Sequence, residues 1–307
     1  MKMDWKGVLP AITTCFDENL EIDHQFTVRH VRWLKEKGCR GIIANGSLGE
    51  GATLSFEEKK KLWKTCVEAA GEDVPVVAAI AALSTGEAVQ MALEAEMAGC
   101  RGLMVLPPYV YQGDWREMEF HLGEIIRSTG LSCMLYNNPI AYGTDFLPER
   151  IAELADKYEN LEAVKESSGD VRRISAIKAL CGDRLAVLVG LDDAIVEGVS
   201  AGAVGWVAGL VNALPEESVE LFRLASGGEK EKAFELYRWF LPLLRLDVVP
   251  KFVQLIKLVQ ERAGMGNPKV RPPRLELTGE ELDETRRLIE DAWAKRPSIV
   301  GSASAGN

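Results

Sequence analysis

The chain has 307 residues, of which 47% are hydrophobic, and carries 36 Lys plus Arg against 46 Asp plus Glu for a formal net charge of −10. This is ample apolar material for one large core, and a single α/β barrel uses such a length as one domain. An acidic chain with no basic run excludes nucleic acid and anionic membrane as partners.

The N-terminal stretch MKMDWKGVLP lacks an apolar signal region, and no apolar run approaches a membrane span. The six cysteines, at 15, 39, 66, 100, 133 and 181, form no C-x-x-C pair. They read as reduced thiols of a cytoplasmic protein.

Short apolar runs then alternate with longer amphipathic segments. The runs are GVLPAITT (7–14), RGIIANGS (40–47), VPVVAAIA (74–81), RGLMVLPP (101–108), LSCMLYNN (131–138), LEAVKES (161–167), RLAVLVGLD (184–192) and GAVGWVAG (202–209). Each has the texture of a parallel strand buried on both faces. Between them, Ser55 and Glu58 form a capping box ahead of a helix whose face carries Leu62, Cys66 and Val67. Further helices are expected over Thr85–Ala98, Asp114–Ser128, Pro148–Lys157, Asp170–Leu180 and Pro215–Ala225. Gly38 and Gly99 sit where a helix ends in a left-handed residue.

Eight strand–helix repeats predict a parallel sheet closed as a (β/α)8 TIM barrel over residues 1–225. Three more helical patterns, Glu229–Arg245, Val248–Ala263 and Thr278–Ala294, predict a C-terminal three-helix subdomain over 226–296. Residues 297–307 are small and polar and read as a flexible tail.

Chemistry in such a barrel sits at the C-terminal ends of the strands. There Lys165 ends an apolar strand inside a ring of polar loops. Apolar walls lower an amine's pKa, and a neutral amine attacks a carbonyl to give a Schiff base. Tyr136 stands at the matching end of the neighbouring strand, where a phenol can shuttle protons. The Gly-rich turn 46–50, GSLGE, offers backbone N–H groups and the Ser47 hydroxyl to a carboxylate. Together these features predict a 2-oxo acid substrate. His24, His30 and His121 lie in helix-like segments without ligand spacing and are expected at the surface, so no metal site is expected. With no dinucleotide fingerprint and no P-loop, no cofactor beyond the lysine adduct is expected.

The stretches GSLGEGATLS, LYNNP, AVKESSGD and VGLDD, in this order, resemble the dihydrodipicolinate synthase/N-acetylneuraminate lyase family over about residues 5–295. The resemblance implies Lys165 as the Schiff-base lysine, Tyr136 as its tyrosine, and Gly46, Ser47, Leu48, Gly49 and Glu50 as the carboxylate loop. It also implies a substrate-lining Gly190, a backbone carbonyl near Val207 and a homo-oligomer, dimer or tetramer. The departures concern the substrate. Leu48 replaces the loop's second hydroxyl, Ala141 stands where the synthase carries an arginine, and Val110 replaces its relay tyrosine, with Tyr111 adjacent. Asp192 and Asp193 match an acidic pair that binds substrate hydroxyls on the lyase side of the family, or else they are acids favoured at a helix N-terminus.

Three functions are weighed. The first is a Schiff-base lyase acting on pyruvate or a small hydroxylated 2-oxo acid, by aldol chemistry, dehydration or deamination. The second is 4-hydroxy-tetrahydrodipicolinate synthase itself. The third is a non-catalytic barrel that binds a small acid.

Overall fold

The computed structural model describes residues 3–299; most of the tail expected at 297–307 lies outside them. Eight parallel strands form the barrel: β1 Gly7–Pro10, β2 Ile42–Ala44, β3 Val76–Ile80, β4 Gly102–Val105, β5 Ser132–Asn137, β6 Leu161–Glu166, β7 Ala186–Val189 and β8 Gly205–Ala208. Their order is β1-β8-β7-β6-β5-β4-β3-β2, and a parallel bridge between Ala11 and Ile43 closes the ring. All eight apolar runs thus become strands, each shorter than its run because the run's end turns into the loop beyond.

The helices are α1 His24–Glu36, α2 Phe56–Ala70, α3 Thr85–Met97, α4 Trp115–Arg127, α5 Pro139–Tyr142, α6 Pro148–Lys157, α7 Arg172–Cys181, α8 Ile195–Ser200, α9 Pro215–Ser226, α10 Lys230–Leu244, α11 Phe252–Arg262 and α12 Gly279–Ala294. The expected capping box is formed: the Glu58 N–H donates to Ser55 Oγ at 3.3 Å and the Ser55 N–H to Glu58 Oε2 at 2.7 Å. Gly38 and Gly99 have φ of 92° and 90°, which suits glycine and ends α1 and α3 sharply.

Two apolar layers result. Leu9, Ile43, Val77, Met104, Met134, Ala163, Leu188 and Val207 fill the barrel interior, with Tyr136 in the same cluster. Strand residues of the opposite parity meet the helices in a second, larger cluster. Phe240, Leu244, Val253, Ile256 and Ile289 of α10–α12 belong to that second cluster, so the C-terminal helices share the outer core of the barrel. No helix of the described residues is long and apolar enough to cross a membrane.

The histidine expectation needs correction. His30 and His121 are buried: the His30 Nε2–H donates to the Asn212 carbonyl at 3.0 Å, and His121 Nδ1 pairs with the Thr85 hydroxyl at 3.0 Å. Both occupy the inward stripe of their helices, and each imidazole meets a polar partner there.

Candidate active site

Strand β6 carries Lys165 to the C-terminal rim, opposite Tyr136 of β5 in the register. Lys165 is only 7% exposed, and its Nζ lies 4.1 Å from the centroid of the Tyr136 ring. Burial lowers the lysine's pKa; the charges of Asp247, Tyr142 and Asp192 act against that fall. Gly190, just past β7, makes room for the lysine. A Cβ there would stand 1.9 Å from Ser167 Oγ and 2.7 Å from Lys165 Cε, which only glycine avoids.

Tyr136 is buried, and burial pushes its phenol up to about 12. Its hydroxyl accepts a hydrogen bond from Asn138 Nδ2 at 2.9 Å. Asn138 also caps α5, its Oδ1 accepting from the Ala141 N–H at 3.0 Å. That single turn, begun by Pro139 and ended by Gly143 at φ 73°, delivers Tyr142 to the site. The Tyr142 hydroxyl hydrogen-bonds to Ser47 Oγ, and its ring meets Tyr136 edge-on, with centroids 5.7 Å apart at 79°. Burial pushes Tyr142 up to about 12 as well. Both phenols therefore keep their protons at neutral pH and stand as donors.

The loop after β2 is held from beneath. The Gly51 N–H donates to the Gly46 carbonyl at 3.0 Å and the Glu50 N–H to the Ser47 carbonyl at 3.1 Å. Gly49 packs against the Ile12 carbonyl, where a Cβ would stand 2.7 Å from the oxygen. The N–H groups of Ser47, Leu48 and Gly49 donate to no acceptor among the described residues. Leu48 turns its side chain into the outer core. Glu50 is fully buried and accepts from Lys257 Nζ of α11 at 2.5 Å and from the Arg271 N–H at 3.0 Å.

The remaining expected residues fall in different places. Val207 lies in β8 on the barrel interior. Asp192 is fully buried: its carboxylate accepts from Trp206 Nε1 at 2.9 Å, from the Gly209 N–H at 3.1 Å and from the Leu210 N–H at 2.7 Å. Burial nonetheless pushes it up to about 6. Asp193 faces the C-terminal helices. Its carbonyl accepts from the Tyr237 hydroxyl, and Arg245 Nε lies 4.0 Å from its carboxylate. Tyr111 is 55% exposed and its hydroxyl donates to Glu117 of α4 at 2.8 Å, so within this chain it does not join Tyr136. Ala141 is exposed at the rim.

The structure adds three residues that the motifs did not single out: Tyr142, Ser167 and Asp247. Among the described residues, no three His, Cys, Asp or Glu side chains come together as a metal site.

The family model of the dihydrodipicolinate synthetase family matches residues 4–292. A 4-hydroxy-tetrahydrodipicolinate synthase of Bartonella bacilliformis is 32% identical over 288 residues, covering 94% of this chain and 96% of that one. The enzyme of the same name from Methanothrix thermoacetophila is 30% identical, covering 97% and 99%. Among solved structures, a dihydrodipicolinate synthase of Bacillus anthracis superposes with a TM-score of 0.90 at 27% identity, covering 96% and 100%. A chloride-inhibited dihydrodipicolinate synthase of Acinetobacter baumannii, complexed with pyruvate, gives 0.90 at 25%, covering 94% and 99%. The fold and these relatives define a (β/α)8-barrel lyase. The chain belongs to the dihydrodipicolinate synthetase family.

Proposed function

We propose that Lys165 is the nucleophile of a Schiff-base lyase acting on pyruvate or a small hydroxylated 2-oxo acid. The observation that carries this reading is the buried amine of Lys165, set 4.1 Å from the Tyr136 ring centroid at the catalytic rim. A neutral amine there adds to the C2 carbonyl, and a proton moves from nitrogen to oxygen to give a carbinolamine. Tyr136 donates to the departing oxygen, water leaves, and an iminium remains. Loss of a C3 proton gives the enamine. Its electron pair then attacks an aldehyde; in the opposite direction, C3–C4 cleavage releases one. A hydroxyl or amine leaving from C4 uses the same electron sink. The free N–H groups of Ser47 and Leu48, with the Ser47 hydroxyl, hold the substrate carboxylate. The covalent adduct needs no further cofactor, and six free thiols, five of them buried, fit a cytoplasmic protein. The exposed apolar side chains Leu83, Tyr111 and Phe120 beside α3 and α4 support self-association as a dimer or tetramer.

The names of the relatives favour a second reading within the same chemistry, 4-hydroxy-tetrahydrodipicolinate synthase, in which the enamine of pyruvate meets an amino-aldehyde acid. Ala141 at the arginine position and the buried Leu48 favour the first. Trapping with borohydride tests what both share. Incubation with pyruvate should leave a reduced pyruvyl adduct on Lys165, seen by mass spectrometry and absent in Lys165→Ala. A folded wild-type protein that traps neither pyruvate nor a 2-oxo-3-deoxy sugar acid is a binding barrel, and the enzyme reading fails.

A further inference from the structure

Asp247 closes a short turn, Arg245–Asp247, that follows α10. It lies outside the barrel in sequence, yet its carboxyl group reaches the rim over β8. A Cβ on Gly209 would stand 2.0 Å from Asp247 Oδ1 and 2.4 Å from its Cγ. Only a glycine at 209 lets the C-terminal helices place a carboxyl there.

Asp192 and Asp247 both act on the lysine, Asp193 follows Asp192 in the chain, and two of these three acids are already engaged. Asp192 accepts from Trp206, Gly209 and Leu210. Asp193 faces Tyr237 and Arg245. Asp247 accepts no hydrogen bond and makes no ion pair among the described residues. Of the charges around Lys165, that of Asp247 acts on it most strongly, and it reaches Tyr136 as well. Burial raises the Asp247 carboxyl well above the ordinary carboxylate range; Asp192 and Asp193 add to the rise, and Lys165 opposes it.

A second unpartnered group points to a ligand in the same place. Ser167 Oγ is buried without a hydrogen-bond partner in a residue only 1% exposed, and it lies against Gly190 beside Lys165 Cε. It stands beside the Tyr136 hydroxyl without reaching good hydrogen-bond geometry. Buried polar groups are normally satisfied, so a vacant hydroxyl and a vacant carboxyl next to the reacting amine mark where substrate polar groups go. A second substrate carboxylate would be a third acid crowded against Asp192 and Asp247, and acids brought together at low dielectric disfavour one another's charged forms. A hydroxyl or ammonium group would donate to the carboxyl.

We infer that Asp247 is the specificity-determining contact of this site, and that it selects 2-oxo acids bearing a hydroxyl or amino group beyond C3 over those ending in a second carboxylate. This rests on the Schiff-base reading of Lys165. It sets a sector of the rim over β8, supplied by the C-terminal helices, apart from the carboxylate loop that follows β2.

The test is borohydride trapping at graded concentrations of three probes: pyruvate, 2-oxo-3-deoxygluconate and 2-oxoglutarate. The adduct on Lys165 is quantified by mass spectrometry, and each half-saturating concentration is divided by that for pyruvate in the same protein. In Asp247→Ala the ratio for 2-oxo-3-deoxygluconate should rise about tenfold, the scale of one hydrogen bond. In Asp247→Asn the ratio for 2-oxoglutarate should fall. The pyruvate adduct reports that a variant is folded, and Asp247→Asn carries the comparison alone should Asp247→Ala not trap pyruvate. Pyruvate trapping with both ratios as in wild type overturns this inference only. Wild-type protein that traps none of the three overturns the Schiff-base reading and this inference together.

Discussion

The hydroxyl that meets Ser47 comes from Tyr142, one position past Ala141. The motifs pointed to Tyr111 for a relay, but its hydroxyl is held by Glu117 on α4. Ser47 and Tyr142 instead share a hydrogen bond within one chain, and the Tyr142 ring packs edge-on against the Tyr136 ring that lies beneath the Lys165 amine. Two hydroxyls joined by a hydrogen bond act as a unit. Enamine formation can be read without knowing the second substrate, by following deuterium exchange into the pyruvate methyl group. Tyr142→Phe and Ser47→Ala should each slow that exchange by about 10²-fold, the lower end of general acid–base contributions. The double variant should be scarcely slower than either single one. Additive losses would mean that Ser47 and Tyr142 have separate roles, and the paired reading would be wrong. Lys165, Tyr136 and Ser47 stood out as candidates because each ends an apolar run or sits in a tight turn, and Gly190 stood out only through the family resemblance. Tyr142 was not, since its aim depends on a single helical turn capped by Asn138. Asp247 lies 82 positions beyond Lys165 in no motif, and only the packing of α10 brings it back.

At the scale of elements, the eight strands were legible for one physical reason: parallel strands covered on both faces must be apolar throughout. Helices with capping residues were legible as well, and α6 spans the expected Pro148–Lys157. The buried histidines were misread because pattern alone does not reveal which polar residue on a helix finds an inward partner. The role of Glu50 also needed the structure. It ends the GSLGE turn with φ 54° and pairs with Lys257 of α11 in a buried bridge. The loop over residues 46–50 is thereby fastened to the C-terminal helices. Removing one partner leaves a charge buried and unpaired, at a cost of about 3–5 kcal/mol. Lys257→Met should lose that much in denaturant unfolding, and Lys257→Met with Glu50→Gln should recover part of it. A single variant within about 1 kcal/mol of wild type would show that the bridge does not hold the loop.

Closure of the ring is a property of the whole molecule, and His30 stands at its seam. The Asn212 carbonyl that accepts from His30 belongs to the turn after β8, and the Asn212 side chain donates to the Ala11 carbonyl beside β1 at 2.8 Å. His30 is 1% exposed, and burial lowers its pKa from 6.5 to about 4. Its imidazole is therefore neutral in the folded barrel. Between about pH 6.5 and 4 the unfolded chain binds a proton here that the folded chain does not, so stability falls as pH falls. By about pH 4.5 the loss from this one group is about 2–3 kcal/mol. Asp192, raised to about 6, works in the opposite direction. The folded state takes up its proton before the unfolded state does, so this group adds stability as pH falls through that value. The two contributions offset each other, and the wild-type curve by itself reveals neither. His30→Gln separates them. Glutamine keeps a donor for the Asn212 carbonyl and does not titrate. The stability lost between about pH 7 and 4.5 should be about 2–3 kcal/mol smaller in His30→Gln than in wild type, measured by denaturant unfolding at each pH. An equal loss in both proteins would mean that the seam opens to protonate His30 within the folded state, and that burial does not hold the imidazole neutral.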